Sequence, residues 1–397
     1  MTRDLVPPAV ISLFGDDPEP SRSWSLVDPG EVSLVSEIVF SNNVDPGMTP
    51  ELDLGPTDRD LRRLRQIQVE RWHSDWPFLR TRQAIDAEIL LNSLPTPAPG
   101  MAADLIPVPV ITGRPGTGKS KLLKQLVARA VAQAAWDRRL QLDLESSVGR
   151  RRHEPRFGVR SLPLSVVHLR LPGRVRDKEL FEQLCRRVGR APGADPRGAF
   201  EKAILESGIQ TVALDEVQFI NFDGQHGMHV HNALKSIQNL GVRLIMCGHN
   251  MREQLGDQNT AARQGALWQS EARWDWIEVH RYGHATRSER SQWIWILQQI
   301  ESRLRLAGHE PGSTVLSVEF EEYLWVRTLG YMNHLSALVI RACVTAAKTP
   351  SQQITRPILE ALTAGARAEE GRRIRVQLWE AGRFDWSSDF LRGLDAR

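Results

Sequence analysis

Cysteine is scarce in this chain: three residues in 397, at Cys185, Cys247 and Cys343. They are far apart, form no CxxC pair and match no zinc-ligand spacing, which excludes a disulfide-built scaffold and leaves them as reduced core residues. No stretch reaches the roughly 18 apolar residues needed to cross a bilayer. The start, MTRDLVPPAV, lacks the basic region and long apolar run of a secretory leader, so a cytoplasmic location without a membrane partner is expected. Charge of one sign is also lacking overall, with 51 basic against 48 acidic residues and a net charge of +3. The chain as a whole therefore does not advertise a nucleic-acid partner. What is present, 41% hydrophobic and 25% charged residues, is the balance of a globular protein and excludes disorder throughout.

The distribution of charge says more than its sum. Residues 1–57 hold Arg3 and Arg22 against ten acids, while residues 138–178 hold eleven Lys and Arg against four acids. The first segment also has eight of the 23 prolines and no sustained periodicity, as expected of an acidic, loosely ordered arm. Helical spacing begins at Asp58 with Leu61, Leu64 and Ile67, passes the Trp-rich turn ERWHSDWP, and resumes over about 81–94. PTPAPG (95–100) reads as a linker. Behind it, four apolar runs, IPVPVITG, SVVHLRL (165–171), TVALDEV (211–217) and VRLIMCG (242–248), alternate with helical stretches. That alternation predicts an α/β domain with a parallel sheet flanked by helices over 101–282, after the helices and linker of 58–100. After Tyr282 helical patterns dominate, including Leu335, Leu338, Val339, Ala342, Cys343 and Ala346 on one face, so 283–364 is expected to be a helical lid domain. Residues 365–397 form a tail in which Arg and Glu mix with Trp379 and Trp386, suited to a surface helix packed on the core or to a partner-binding segment.

Gly113-Arg-Pro-Gly-Thr-Gly-Lys-Ser120 matches GxxxxGK(S/T), follows a predicted strand and opens a predicted helix. Glycines let backbone N–H groups turn inward around phosphates, and the helix start adds its positive end. Gly113, Pro115, Gly116, Thr117 and Gly118 are thus expected to cradle ATP, with Lys119 reaching the β- and γ-phosphates and Ser120 completing a Mg²⁺ shell. The strand TVALDEV ends in a carboxylate pair about a hundred residues downstream. Asp215 at its tip is expected beside the metal, and Glu216 beside the γ-phosphate, where it can orient or deprotonate water. VRLIMCG ends in His249-Asn250; Asn250 either senses the γ-phosphate or simply forms the turn. His226, His229 and His231 lack an acid or cysteine to complete a metal shell.

These elements, in this order, resemble the AAA+ ATPases, and among them the TniB and TnsC group of transposition regulators. The resemblance rests on ERWHSDWPFLRTRQAIDAEILL, ITGRPGTGKSKLL, ALDEVQFI and HNALKSIQNLGVRLIMCGHN, and covers about residues 60–365. It departs at Gly248-His249-Asn250, where the family has a Gly-Thr turn, and no Arg stands three residues after Gly330. The resemblance implies an AAA+ P-loop fold with a helical lid, and an ATPase that uses hydrolysis as an assembly switch. It further implies a homo-oligomeric ring or filament on duplex DNA that recruits a transposase and works with a target-selector protein. Arg273, after the last core strand, is then the candidate to reach a neighbouring subunit's nucleotide, with Arg263 as competitor. Arg174, Arg176 and Lys178, in the loop after the second strand, would face DNA phosphates. Two alternatives stay open: a signalling or defence ATPase that binds proteins through its arm and tail, and a replication initiator or loader.

Overall fold

A computed structural model describes residues 79, 81–94, 107–128, 130–131, 166–173, 175–220, 224–252, 274–302, 304, 306, 308–309, 312–387 and 390. The acidic arm, the helix expected from residue 58, the 95–100 linker, the 138–161 insertion, Arg174, Arg263 and Arg273 lie outside the described residues. The chain divides into two compact units: the first takes in the described residues within 87–113 and 119–278, the second those within 79–86, 114–118 and 279–390.

In the first unit, five strands form one parallel sheet: β1 (Val108–Thr112), β2 (Val166–Arg170), β3 (Thr211–Asp215), β4 (Arg243–Cys247) and β5 (Trp274–Glu278). Their order is β2-β3-β4-β1-β5. β1 and β3 are buried along their whole length, the pattern of strands covered on both faces, which is why they read as unbroken apolar runs. β5 does not belong to any of the four apolar runs in the sequence. It is an edge strand whose burial is interrupted at Asp275, Trp276 and Glu278, so it carries charge that a central strand excludes. Arg273, expected after the last core strand, therefore directly precedes that strand in the sequence.

Local chemistry fixes the helices of this unit. A helix over 119–128 opens straight from the glycine loop. α3 (Asp177–Arg187) starts where the Arg176 N–H donates to Glu179 Oε2 at 3.1 Å. This closure places Lys178 in the first turn of a helix and not in the loop expected after the second strand. α4 (Pro196–Ser207) has Asp195 accepting from the Gly198 N–H, Pro196 in its first turn and left-handed Gly208 behind it, the start and stop signals of a short helix. α5 (Gly224–Asn239) leads into β4. Leu180, Phe181, Leu184, Phe200, Ile204 and Ile237 from these helices pack with Val167, Val212 and Leu244 of the sheet in one core. Two helices precede α3 in the chain: α1 (Arg82–Ser93) and α2, the 119–128 helix.

The second unit is helical among its described residues: α6 (Arg287–Glu301), α7 (Glu321–Thr328), α8 (Met332–Ala346), α9 (Arg356–Ala361), α10 (Ala366–Glu369) and α11 (Arg372–Glu380), with a π turn at Val315–Glu319. α6 begins in a reciprocal cap in which Thr286 Oγ1 accepts from the Glu289 N–H and the Glu289 carboxylate from the Thr286 N–H. α8 buries Leu335, Leu338, Val339, Ala342, Cys343 and Ala346 in one core with Trp293, Trp325, Ala368 and Phe384, against which Trp379 and Trp386 pack. Arg327, fully buried, ties this core together by donating to the Leu359 and Leu362 carbonyls, Tyr323 Oη and Glu369.

Candidate functional site

The parallel register brings the strand tips into one row. Arg170 of β2 lies opposite Asp215 of β3, Asp215 opposite Cys247 of β4, and Cys247 opposite Ile111 of β1. In an open α/β sheet, the carboxyl ends of the strands are where ligands bind. β1 continues there into the glycine loop, in which Gly113, Gly116 and Gly118 take φ values of 143°, 87° and 102°. Side-chain-bearing residues avoid this left-handed range, so the loop's backbone path requires glycine. The space a Cβ would take at Gly118 is open, with nothing within 4 Å. Pro115 lies in a turn, and Thr117 braces the loop through its Oγ1, which donates to the Arg114 carbonyl at 3.0 Å.

At the start of α2, Ser120 Oγ donates to Asp215 Oδ1 at 3.2 Å. Lys119 is 8% exposed. Burial pushes its ammonium below the ordinary value, while the nearby Glu216 and Asp215 carboxylates pull it back up. Asp215 is 1% exposed, and its Oδ2 is buried with no hydrogen-bond partner. An unpaired buried carboxylate oxygen is costly unless a cation or donor completes it. An oxygen of this kind beside a serine hydroxyl is the hard donor set that Mg²⁺ takes. These residues therefore fit a magnesium-bound phosphate. The Cys247 thiol, facing Asp215, is pushed well up by burial and then by that carboxylate, so it remains a neutral neighbour.

Glu216 follows in a left-handed conformation, φ 60°, uncommon for a residue with a side chain. Two bonds hold it there: its N–H donates to Asp215 Oδ1 at 2.9 Å, and its carbonyl accepts from the Phe219 N–H at 3.0 Å. Its carboxylate has two partners that the sequence did not reveal. Arg170 Nη2 donates to Oε1 at 3.3 Å, and Gln218 Nε2 donates to Oε2. The Arg170 side chain is 70% exposed, so this ion pair restrains Glu216 weakly. Gln218 in turn accepts, through Oε1, from the His249 N–H at 3.2 Å, and so spans from Glu216 to the end of β4. Asn250 is exposed, with φ 51°, the left-handed turn conformation that asparagine tolerates.

Lys119, Ser120, Asp215 and Glu216 are thus brought together, and Gln218 rather than Asn250 connects the tip of β4 to Glu216. Arg176 and Lys178 are exposed at the start of α3. His229 is exposed on α5, and the side chains of His226 and His231 lie outside the described residues. Among the described residues, no group of three or more His, Cys, Asp or Glu could hold a metal ion by itself. No helix among them is long and apolar enough to cross a membrane.

Residues 107–255 match the family model described as an AAA domain. No curated protein matches the chain. Among solved structures, it is similar to the ORC2 protein of Aeropyrum pernix in ADPNP and ADP complexes, at 18% identity over 74% of this chain and 69% of that one, TM-score 0.46. It is similar to the ORC1 protein of Aeropyrum pernix in complex with DNA, at 15% identity, 76% and 69% coverage and TM-score 0.48. Cdc6p of Pyrobaculum aerophilum aligns at 14% identity over 88% of both chains, TM-score 0.43. The parallel sheet flanked by helices, the glycine loop after β1 and the matched AAA domain together make this an AAA+ P-loop fold accompanied by a helical C-terminal region.

Proposed function

We propose that this chain is an ATPase whose nucleotide state governs its assembly on duplex DNA, where it acts as a regulator of transposition. The observation that carries the ATP reading is the meeting of Ser120 with Asp215, whose second carboxylate oxygen is buried and unpartnered. In this reading the loop over Gly113–Gly118 surrounds the phosphates with backbone N–H groups, and Lys119 meets the β- and γ-phosphates as a compact cation. Ser120 and Asp215 would hold a magnesium ion, which when bound neutralises charge on the phosphates. Glu216 orients water and accepts its proton, once its carboxylate leaves Arg170 and Gln218. Arg273 is the residue proposed to act on a neighbouring subunit's nucleotide, where an arginine counters charge developing in the transition state.

The DNA and transposition reading draws on the four sequence stretches that resemble the TniB and TnsC group, and on the exposed Arg176 and Lys178 at the start of α3. Together with Arg174, these cations suit the sugar-phosphate backbone, a contact that needs charge and position but no base recognition. A transposase, with a target-selector protein, is the partner class this reading requires.

The test is electron microscopy of the purified chain with a non-hydrolysable ATP analogue, with and without duplex DNA. Rings or filaments that require both nucleotide and DNA, and vanish with Lys119→Ala, are the expected result. Particles indifferent to DNA, with no DNA retained in a binding assay, would overturn the DNA reading and leave a protein-binding ATPase.

A further inference from the structure

We infer that the first turn of α8 belongs to the phosphate-binding machinery, with Asn333 as a positioning residue that holds the Gly116–Thr117 peptide in the orientation a nucleoside di- or triphosphate needs. The inference deepens the nucleotide reading above and rests on it. Residues Arg114–Gly118, the tip of the glycine loop, fall in the same compact unit as α8. There the backbone N–H of Asn333 donates to the Gly116 carbonyl at 3.1 Å. Asn333 is the second residue of α8, and an N–H in a helix's first turn has no acceptor within its own helix. The glycine loop supplies that acceptor.

The consequence follows from peptide geometry. The chain has no cis peptide bonds among the described residues, and a planar trans peptide points its C=O and the next N–H in opposite directions. With the Gly116 oxygen turned toward α8, the Thr117 N–H is turned away from it, free to serve as one of the inward donors on which a phosphate loop depends. A flip of this one peptide would present an oxygen to an anion in place of a donor. Asn333 opposes that flip.

A second observation points to the same pair. A Cβ built on Gly116 would run into the Asn333 side chain, meeting Oδ1 and lying 2.5 Å from Cγ and 2.7 Å from Nδ2. Glycine at 116 is therefore required by its φ of 87°, and a side chain there would also have to displace the Asn333 amide. Asn333 is itself firmly placed, because the turn before α8 is bolted down. The Tyr282 N–H donates to the Gly330 carbonyl at 3.0 Å, Trp325 Nε1 to the Tyr282 carbonyl at 3.0 Å, and Arg281 Nη1 to the Leu329 carbonyl at 3.1 Å.

The experiment compares the full chain with Asn333→Pro, which removes the N–H, and Asn333→Ala, which keeps it. Calorimetric titration with ADP and with a non-hydrolysable ATP analogue gives affinity, and thermal unfolding without nucleotide reports any merely structural damage. Loss of one loop-orienting hydrogen bond should weaken both nucleotides about tenfold in Asn333→Pro, while Asn333→Ala stays within about twofold. Nucleotide affinity in a folded Asn333→Pro equal to that of the unaltered chain overturns the inference. So does an equal loss in both variants, which would mean that the side chain acts directly. Because proline also restricts Met332, Gly116→Ala is measured alone and with Asn333→Gly. Recovery of affinity by the second change, about fivefold or more, supports the pairing, and no recovery overturns it. Failure of the unaltered chain to take up nucleotide is a separate outcome, one that removes the nucleotide reading and this inference with it.

Discussion

Ser120 Oγ donates to Asp215 Oδ1 over 3.2 Å, joining residues 95 positions apart in the chain. Two separate strand-to-helix connections converge there, and the same contact brings a buried carboxylate oxygen without a hydrogen-bond partner, Asp215 Oδ2, to the end of the glycine loop.

Lys119→Ala should lower ATP affinity at least about a hundredfold, since it removes a buried cation at the end of the phosphate loop. Asp215→Asn should leave binding dependent on magnesium to a much smaller degree. Glu216→Gln should instead keep nucleotide and slow hydrolysis by about 10²–10⁴-fold, the range of a lost general base. Equilibrium binding and phosphate release measured on the same three variants decide the matter; a Glu216→Gln enzyme with unaltered turnover would remove that residue from the mechanism.

Arg170→Ala and Gln218→Ala test the restraint on Glu216. Each removes one partner of its carboxylate, so turnover should rise several-fold with little change in ATP affinity. Stability should move by less than about 1 kcal/mol in Arg170→Ala, because that ion pair is largely exposed. Slower hydrolysis in both variants would show that these partners aim the carboxylate rather than detain it.

Arg176 and Lys178 can be read through salt. Each phosphate contact contributes a slope of about −0.9 in log affinity against log salt, so replacing both with alanine should flatten the slope by roughly 1.8. An unchanged slope in DNA binding places the phosphate contacts elsewhere.

In the helical unit, Arg327→Leu should destabilise the fold by about 3–5 kcal/mol, because it takes the donor from the Leu359 and Leu362 carbonyls and breaks the Tyr323 and Glu369 contacts of a fully buried guanidinium. Denaturant unfolding is the measurement, and a loss under about 1 kcal/mol would demote this arginine to a filler.

The same unit carries a pH dependence. Burial pushes His309 and His334 below the ordinary imidazole value of 6.5, and His309 Nε2 must stay unprotonated to accept from the Ile354 N–H at 3.1 Å. The unfolded chain therefore takes up protons first. The stability from these neutral rings is complete above the ordinary value and declines as pH falls through and below it. Urea midpoints should drop between pH 7.5 and pH 5.5, and the double variant His309→Asn, His334→Asn should flatten that acid limb. A limb equally steep in the variant assigns it to other groups.

Much of the site could be read in the sequence because its signals are local. The glycine loop, the carboxylate pair and the four apolar runs each lie within eight residues, and β1 to β4 form where those runs are. What escaped depends on pairing across distance. β5 mixes Trp274 and Trp276 with Asp275 and Glu278, since an edge strand need not be apolar on both faces. Arg170, Gln218 and Asn333 carry no motif. Their roles come from parallel register and from a helix start meeting a loop more than two hundred residues away in sequence. Lys178 lies in the first turn of α3 and not in the preceding loop, because Glu179 caps the Arg176 N–H and the helix begins at Asp177.

All three thiols are buried, one in α3, one at the end of β4 and one in α8. Alkylating reagents should leave the native chain unmodified and capture each sulfur only when its surroundings open. Peptide mapping of the labelled positions over time would then follow the breathing of sheet and helices separately, with no foreign probe installed. Bound nucleotide should slow capture at Cys247 most, because that sulfur borders Asp215.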